Sequence, residues 1–236
     1  MFPIGDDNTN RRTTPYVVYG LIALNALIYL LQVTAGDPFT YAWATVPAEI
    51  TSGIDLVRPV VVSAGGESFS IPQFPGPTPI YLTLLSSMFM HGSFMHLAGN
   101  MLYLWIFGDQ VEDLLGHWRF VVFYLVCGLV ADFAHILPDP GSVIPTLGAS
   151  GAIAGVLGAY LVKYPKNRVR VLLVRVITSV PAVIVLGLWF VFQFISQLSD
   201  GPAGGGVAYM AHIGGFLAGM ALVFVFSIGR PAQEQP

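Results

Sequence analysis

Six apolar stretches, separated by short polar or basic segments, make up most of this 236-residue chain. A helix that crosses the hydrocarbon core of a bilayer needs about 20 mainly apolar residues, within a range of roughly 17–25. The stretches are Tyr16–Val33, Ile80–Phe107, Phe120–Leu137, Ser150–Val162, Val176–Leu198 and Val207–Ile228. Only the fourth is too short to cross. The pattern predicts an all-α membrane protein, a bundle of six transmembrane helices whose short central fourth helix starts inside the membrane.

The composition supports a chain that lies in a lipid bilayer. Charged residues make up 10% of the chain and hydrophobic residues 55%, whereas an ordinary soluble domain is about 25% charged. The net charge of −3 gives no indication of a nucleic-acid partner. Cys127 is the single cysteine, so neither an intrachain disulfide nor a cysteine-based metal site is expected. We expect no metal and no cofactor.

The basic residues predict the orientation, because cytoplasmic segments of membrane proteins carry an excess of Lys and Arg. With a cytoplasmic N-terminus, nine of the ten basic residues fall inside and only Arg58 falls outside. We therefore predict a polar, mobile cytoplasmic tail at 1–15, a membrane domain at 16–229 and a second cytoplasmic tail at 230–236. The compact six-helix form favours a prokaryotic inner membrane.

Two predicted outer loops differ in character. The stretch 34–79 is long and unusually apolar, and its segments Val60-Val61-Val62 and Pro72–Pro79 predict non-helical structure at the membrane interface. The stretch 199–206 contains three successive glycines, which make it flexible. It suits a lid over a site or a plain linker equally well.

Strongly polar residues inside the bilayer are costly and each suggests a function. Ser150 lies 13 residues before Lys163, and His96 lies 13 residues before Asp109, which is roughly 20 Å in each case. His212 lies at a similar depth in the sixth segment. Asn100 is one turn from His96, on the same helix face. Three helices thus bring polar side chains to one level.

This level suits a serine nucleophile. Ser150 opens the short helix, where unpaired N–H groups and the helix dipole can stabilise an oxyanion. Serine needs a base, usually histidine. His96 and Asn100 can both donate hydrogen bonds to an oxyanion, which leaves His212 as the base. The sequence places no carboxylate at this depth, so we predict a dyad, with Tyr209, one turn before His212, as the candidate support for its ring. Because the reaction would consume water below the membrane surface, we also predict a polar cavity that opens outward between the second, fourth, fifth and sixth segments, with Gly204–Gly206 as its cover.

Plainer explanations exist for each residue alone. A single serine in a membrane helix is usually a packing residue, and a lone buried histidine is more often structural. Small residues recur at helical spacing in the fourth and sixth segments, and close helix packing explains them sufficiently. They are Gly151, Gly155, Gly158, Ala211, Gly215 and Gly219. That same packing would bring Ser150 and His212 together.

At these residues the chain closely resembles the rhomboid family of intramembrane serine proteases. The motifs that carry the resemblance are His91-Gly-Ser-Phe-Met-His96-Leu-Ala-Gly-Asn100, Gly148-Ala-Ser150-Gly151 and Ala211-His212-Ile-Gly-Gly215 with Gly219. The resemblance covers all six segments in the family's order. It implies Ser150 as nucleophile, His212 as general base and the Ser150 N–H, His96 and Asn100 around the oxyanion.

The resemblance also implies supporting roles and a substrate class. His91 is similar to the family's structural histidine, and Glu112 fits the family pattern after the second helix. Proteases of this kind need no metal or cofactor and cut single-span membrane proteins near the outer end of the span. This chain departs from the family at Ala154, where many members carry an aromatic residue against the catalytic histidine. The Trp-Arg pair that often occurs in the family's first outer loop is also absent.

Three other functions fit the sequence less well. A catalytically silent rhomboid relative would bind membrane clients, but such relatives usually lose the serine or the histidine. A transporter could relay protons through His96, His135 and His212, but the sequence shows no inverted repeat. A metalloprotease is disfavoured because no His-Glu-x-x-His motif occurs.

Overall fold

The computed structural model describes residues 2–9, 11–64, 66–199 and 207–230. The helices are α1 (Tyr16–Ala35), α2 (Asp37–Ala42), α3 (Pro47–Ser52), α4 (Thr83–Ser86), α5 (Phe94–Leu115), α6 (His117–Ile136), α7 (Ser150–Lys163), α8 (Ala182–Ser199) and α9 (Tyr209–Phe226). The strands are β1 (Phe2–Asp6), β2 (Val60–Ala64), β3 (Glu67–Ile71), β4 (Arg168–Leu173) and β5 (Val176–Pro181). Short 3₁₀ turns, Ile80–Leu82 and Ser87–Phe89, flank α4.

Six of these helices are long and form the bundle: α1, α5, α6, α7, α8 and α9. In the described part of the chain, α1, α6, α8 and α9 are long and apolar enough to cross a membrane. α5 has 22 residues but ends in the acidic segment Asp109–Asp113. α7 has 14 residues, roughly 21 Å, and every residue of Gly151–Tyr160 is buried. The predicted helical bundle with a short central helix is confirmed.

The second predicted helix is not continuous. The predicted segment Ile80–Phe107 is interrupted because Met90 is extended and Ser93 has φ −161° and ψ 162°. The Ser93 hydroxyl accepts a hydrogen bond from the His96 N–H at 3.1 Å. Such an N-cap satisfies a backbone donor that lacks a partner within the helix. The long helix therefore starts at Phe94, and its irregular approach brings His91 to the level of His96.

The fifth predicted helix starts later than expected. Val176–Pro181 was assigned to that helix but forms β5, antiparallel to β4. Its β-branched residues favour a strand, and Pro181 cannot donate the backbone hydrogen bond that a helix interior needs. The helix begins immediately afterwards, at Ala182.

The prediction of a mobile N-terminal tail is wrong for Phe2–Asp6. This segment forms β1, which pairs with β4 in a three-stranded sheet of order β1-β4-β5. The Asp6 carboxylate accepts hydrogen bonds from the Tyr160 hydroxyl at 2.7 Å and from Gln110 Nε2 at 3.1 Å. The strand is therefore bound to the ends of α5 and α7.

The predicted outer loop 34–79 is only partly non-helical. It contains α2 and α3 before the hairpin β2–β3. Val60-Val61-Val62 lies in β2 and Pro72–Pro79 lies in no helix or strand, so the predicted non-helical structure is confirmed for these two segments. Backbone hydrogen bonds in both directions join Thr45 to Thr146, at 2.9 and 2.8 Å. The loop thereby holds the irregular stretch that leads to α7.

The basic residues gather at one end of the bundle, here called the basic end. They are Arg11, Arg12, Arg119, Lys163, Lys166, Arg168, Arg170, Arg175 and Arg230. Arg11 pairs with Asp109 at 2.8 Å, and Arg119 Nη1 donates to the Ile228 carbonyl at 2.7 Å. This end therefore contains the α5–α6 junction, the segment after α9 as far as Arg230 and the sheet of β1, β4 and β5. Ser150, at the start of α7, lies toward the end of the bundle opposite the basic end.

At the centre of the bundle, α7 and α9 pack against each other in close contact. A Cβ atom on Gly219 would overlap the Gly155 carbonyl oxygen, and one on Gly215 would overlap the Gly151 carbonyl oxygen. The same holds for Gly158 and the Phe216 carbonyl oxygen. Without Cβ atoms the two backbones approach to van der Waals contact, which is the main attraction between helices in lipid. The predicted packing of the small residues is confirmed.

We expect Gly219→Ala to destabilise the bundle although alanine is the better helix former. Its Cβ would force α9 away from Gly155, and overpacking costs typically about 1–3 kcal/mol. Gly187→Ala in α8 is the matched control, because a Cβ there meets no atom within 4 Å. The midpoint of thermal unfolding in detergent should fall for Gly219→Ala and stay or rise for Gly187→Ala. Equal midpoints would show that the α7–α9 contact does not limit stability.

Candidate active site

At the start of α7, no side chain caps the backbone N–H groups. Gly148 has φ +140°, a value that glycine adopts readily, and its N–H donates to the Ser87 carbonyl at 2.9 Å. Ala149 occupies the N-cap without a side-chain hydrogen bond. The first N–H groups of α7, including that of Ser150, therefore have no capping side chain. Such a helix start attracts negative charge.

Ser150 and His212 lie in direct hydrogen-bond contact across the α7–α9 seam. The distance from Ser150 Oγ to His212 Nε2 is 2.7 Å. The glycines of both helices create this approach, since Gly215 lies against Gly151 one turn away from the pair. The arrangement is that of a hydroxyl nucleophile with an adjacent base.

The other imidazole nitrogen of His212 has a partner that the sequence did not reveal. Gln193 Oε1 in α8 lies 2.8 Å from His212 Nδ1. The Trp189 ring, one turn earlier in α8, lies 6.0 Å from the imidazole, and the Tyr209 ring lies 6.3 Å away edge-on. The structure thus places Tyr209 beside His212, and α8 provides two further contacts. The signal for this contact in the sequence was Gln193, a glutamine within the apolar fifth segment.

His96 lies beside the backbone that precedes Ser150. A Cβ atom on Gly148 would lie 2.9 Å from His96 Cε1 and 3.5 Å from Ser150 Oγ. Asn100 Nδ2 is buried and has no hydrogen-bond partner among the described residues. A buried donor without a partner costs free energy, which a transient oxyanion could recover.

His91 and Glu112 lie outside this cluster and hold the helices that form it. The His91 ring packs edge-on against His96 with centroids 5.0 Å apart, and the backbone N–H of His91 donates to Gln32 Oε1 at 2.9 Å. Glu112 is fully buried at the basic end and accepts hydrogen bonds from the N–H groups of Val17 and Val18, at 3.0 and 2.8 Å. A carboxylate in this position caps the start of α1.

A small cavity opens beside Ser150, bounded by different helices than expected. We predicted walls from the second, fourth, fifth and sixth segments, but the fifth, α8, lines none of it. The third segment, α6, lines it with Gly128, Asp132 and His135, because α8 lies on the far side of His212. Asp132 Oδ2 is buried and has no hydrogen-bond partner. The predicted lid, Gly204–Gly206, lies outside the described residues.

Among the described residues, no group of three or more His, Cys, Asp or Glu side chains is placed to hold a metal ion. Cys127 is buried in the core, as expected for a small hydrophobic side chain.

The fold is a helical membrane bundle, and a serine–histidine pair lies at the buried start of its short central helix. These two features identify the class of membrane protein to which the chain belongs. Residues 80–229 match the family model described as "Rhomboid domain". The chain belongs to the rhomboid family.

Similar proteins come from bacteria and from mitochondria. The chain is 32% identical to "Rhomboid protease GluP" of Bacillus subtilis over 208 residues, which cover 88% of this chain and 35% of that protein. It is 31% identical to "Rhomboid protein 1, mitochondrial" of Saccharomyces cerevisiae over 163 residues, which cover 65% and 44% of the two chains. It is 38% identical to "Presenilin-associated rhomboid-like protein, mitochondrial" of Mus musculus over 97 residues, which cover 40% and 26%. The matches span less than half the length of each relative.

Proposed function

We propose that the chain is a serine endopeptidase that hydrolyses peptide bonds in or near transmembrane segments with a Ser150–His212 dyad. The observation that carries the proposal is the 2.7 Å contact between Ser150 Oγ and His212 Nε2 at the uncapped start of α7. Membership in a family with a relative named as a protease supports the same activity.

In the proposed reaction His212 Nε2 takes the Ser150 proton while Oγ attacks the scissile carbonyl carbon. The resulting oxyanion accepts hydrogen bonds from the Ser150 N–H and from the side chains of His96 and Asn100. The imidazolium then gives its proton to the leaving amine, which leaves an acyl group on Ser150. A water molecule, deprotonated by His212, hydrolyses that ester and restores both side chains.

The proposed substrates are single-span membrane proteins, cut near the end of the span that lies on the side opposite the basic end. Under the positive-inside rule the basic end faces the cytoplasm or an equivalent compartment. The relatives are bacterial and mitochondrial, so they support residence in a membrane without selecting which one. A helical substrate enters sideways from lipid, and α8 is the proposed gate because most of its surface is exposed.

Reaction with a fluorophosphonate probe tests the proposal directly. The purified protein in detergent should form a covalent adduct on Ser150, and Ser150→Ala should form none. A catalytically silent family member that only binds clients would leave the wild-type protein unlabelled. An adduct on another serine would exclude Ser150 as the nucleophile.

A further inference from the structure

Gln193 differs from the other residues in this part of α8 because it is both polar and buried. The helix is apolar and exposes most of its side chains, and beyond Leu186 its only buried residue in the described chain is Gln193, which is 5% exposed. Burying an amide away from water is unfavourable unless it is hydrogen-bonded. The partner here is the imidazole of His212, at 2.8 Å.

The direction of this hydrogen bond follows from the Ser150 contact. To accept the Ser150 proton, His212 Nε2 must carry a lone pair, so the neutral ring must carry its proton on Nδ1. That N–H then needs an acceptor, and Gln193 Oε1 is in position to be one. A bond of this kind sets both the tautomer and the orientation of the ring, the role that a carboxylate has in a triad.

We propose that Gln193 is a positioning residue for His212, and that the base is aligned only while α8 lies against α9. This inference rests on the proposed protease function. The α8–α9 contact that holds Gln193 in place includes Phe190, whose ring stacks on Phe216 with centroids 4.7 Å apart. When α8 moves outward to admit a substrate, Gln193 leaves His212, and closure restores the tautomer that accepts the serine proton.

The first test replaces the amide with an apolar side chain of similar size. Gln193→Leu should lower kcat by about 10²-fold, less than the roughly 10⁴-fold loss when a triad carboxylate is replaced, with little change in KM. Gln193→Glu should retain most activity because its carboxyl oxygen can accept the same proton. Gln197→Leu, one turn further along α8, is the matched control, because no hydrogen bond joins Gln197 to Ser150 or His212 in the described structure.

A tautomer measurement separates positioning from a structural role. In ¹⁵N NMR spectra of labelled protein, neutral His212 should be protonated at Nδ1 in the wild type and should become a tautomer mixture in Gln193→Leu. The thermal midpoint of Gln193→Leu should remain within a few degrees of the wild type. Full kcat and an unchanged tautomer in a folded Gln193→Leu protein would overturn the proposal. Unreactive wild-type protein would instead overturn the protease function itself.

The coupling to α8 is tested by a double-mutant cycle on the rate of fluorophosphonate labelling, which needs no sideways entry. Phe190→Ala should slow labelling in the wild-type background, because α8 is held less firmly and Gln193 leaves more often. The same change should have little effect in the Gln193→Leu background, since the positioning bond is already gone. Additive losses would show that Phe190 acts by another route and would overturn the coupling.

Discussion

Ser150→Ala and His212→Ala should each lower kcat for a transmembrane substrate by about 10⁵–10⁶-fold, and the double variant should lose no more than either single one. The nucleophile and the base act as one unit, so removing either disables both, and such losses are strongly non-additive. Cleavage of a purified single-span substrate in detergent or liposomes measures the rates.

The control for these variants is Ser179→Ala in β5, an exposed serine at the basic end, which should cleave at the wild-type rate. Ser150→Ala should keep the wild-type thermal midpoint to within a few degrees, since it loses one hydrogen bond and leaves the glycine seam intact. His212→Ala also leaves the seam intact but loses the bonds to Ser150 and Gln193, so its midpoint should fall further while the protein remains folded. Near-normal turnover by folded Ser150→Ala protein would exclude the dyad mechanism.

Asn100→Ala should give the second large effect, a fall in kcat of about 10²–10³-fold with KM almost unchanged. Its Nδ2 atom is a buried donor without a partner in the described part of the chain, so we expect its contribution to arise mainly when charge develops on the substrate oxygen. His96→Ala should behave similarly, with an added cost because its ring packs against His91.

Asn25→Ala is the matched control, because that buried amide donates within its own helix to the Leu21 carbonyl at 2.7 Å. It should leave kcat unchanged. A rise in KM alone for Asn100→Ala would assign Asn100 to substrate binding or to structure rather than to the oxyanion.

The residues of the proposed site could be predicted from sequence because the membrane limits where polar groups can lie. An apolar segment fixes the approximate depth of each residue, and the short α7 places Ser150 at the same level as His96 and His212. The glycine spacing predicted that α7 and α9 pack closely, and the structure shows that contact at Gly155 and Gly219. The depth of each residue and the close packing of α7 on α9 together predicted that Ser150 lies next to His212.

Local chemistry also marked two element boundaries that the hydropathy pattern concealed. The Ser93 cap starts α5 after an irregular turn, and Pro181 ends β5 before α8. Both residues are visible in the sequence, but an uninterrupted apolar run outweighed them in the prediction. In such segments, caps and prolines are better guides to helix starts than hydropathy.

The sequence by itself determined the helical bundle, the half-buried serine and histidine at one level and the clustering of basic residues, since each follows from local composition and helix length. Only the tertiary structure decided that β1 pairs with β4, because strands about 165 residues apart along the chain carry no local record of their partner. It also decided that α6 lines the cavity and that α8 presents Gln193 to His212. Those outcomes depend on how each helix is rotated and which helices are neighbours, and packing across the whole bundle sets both.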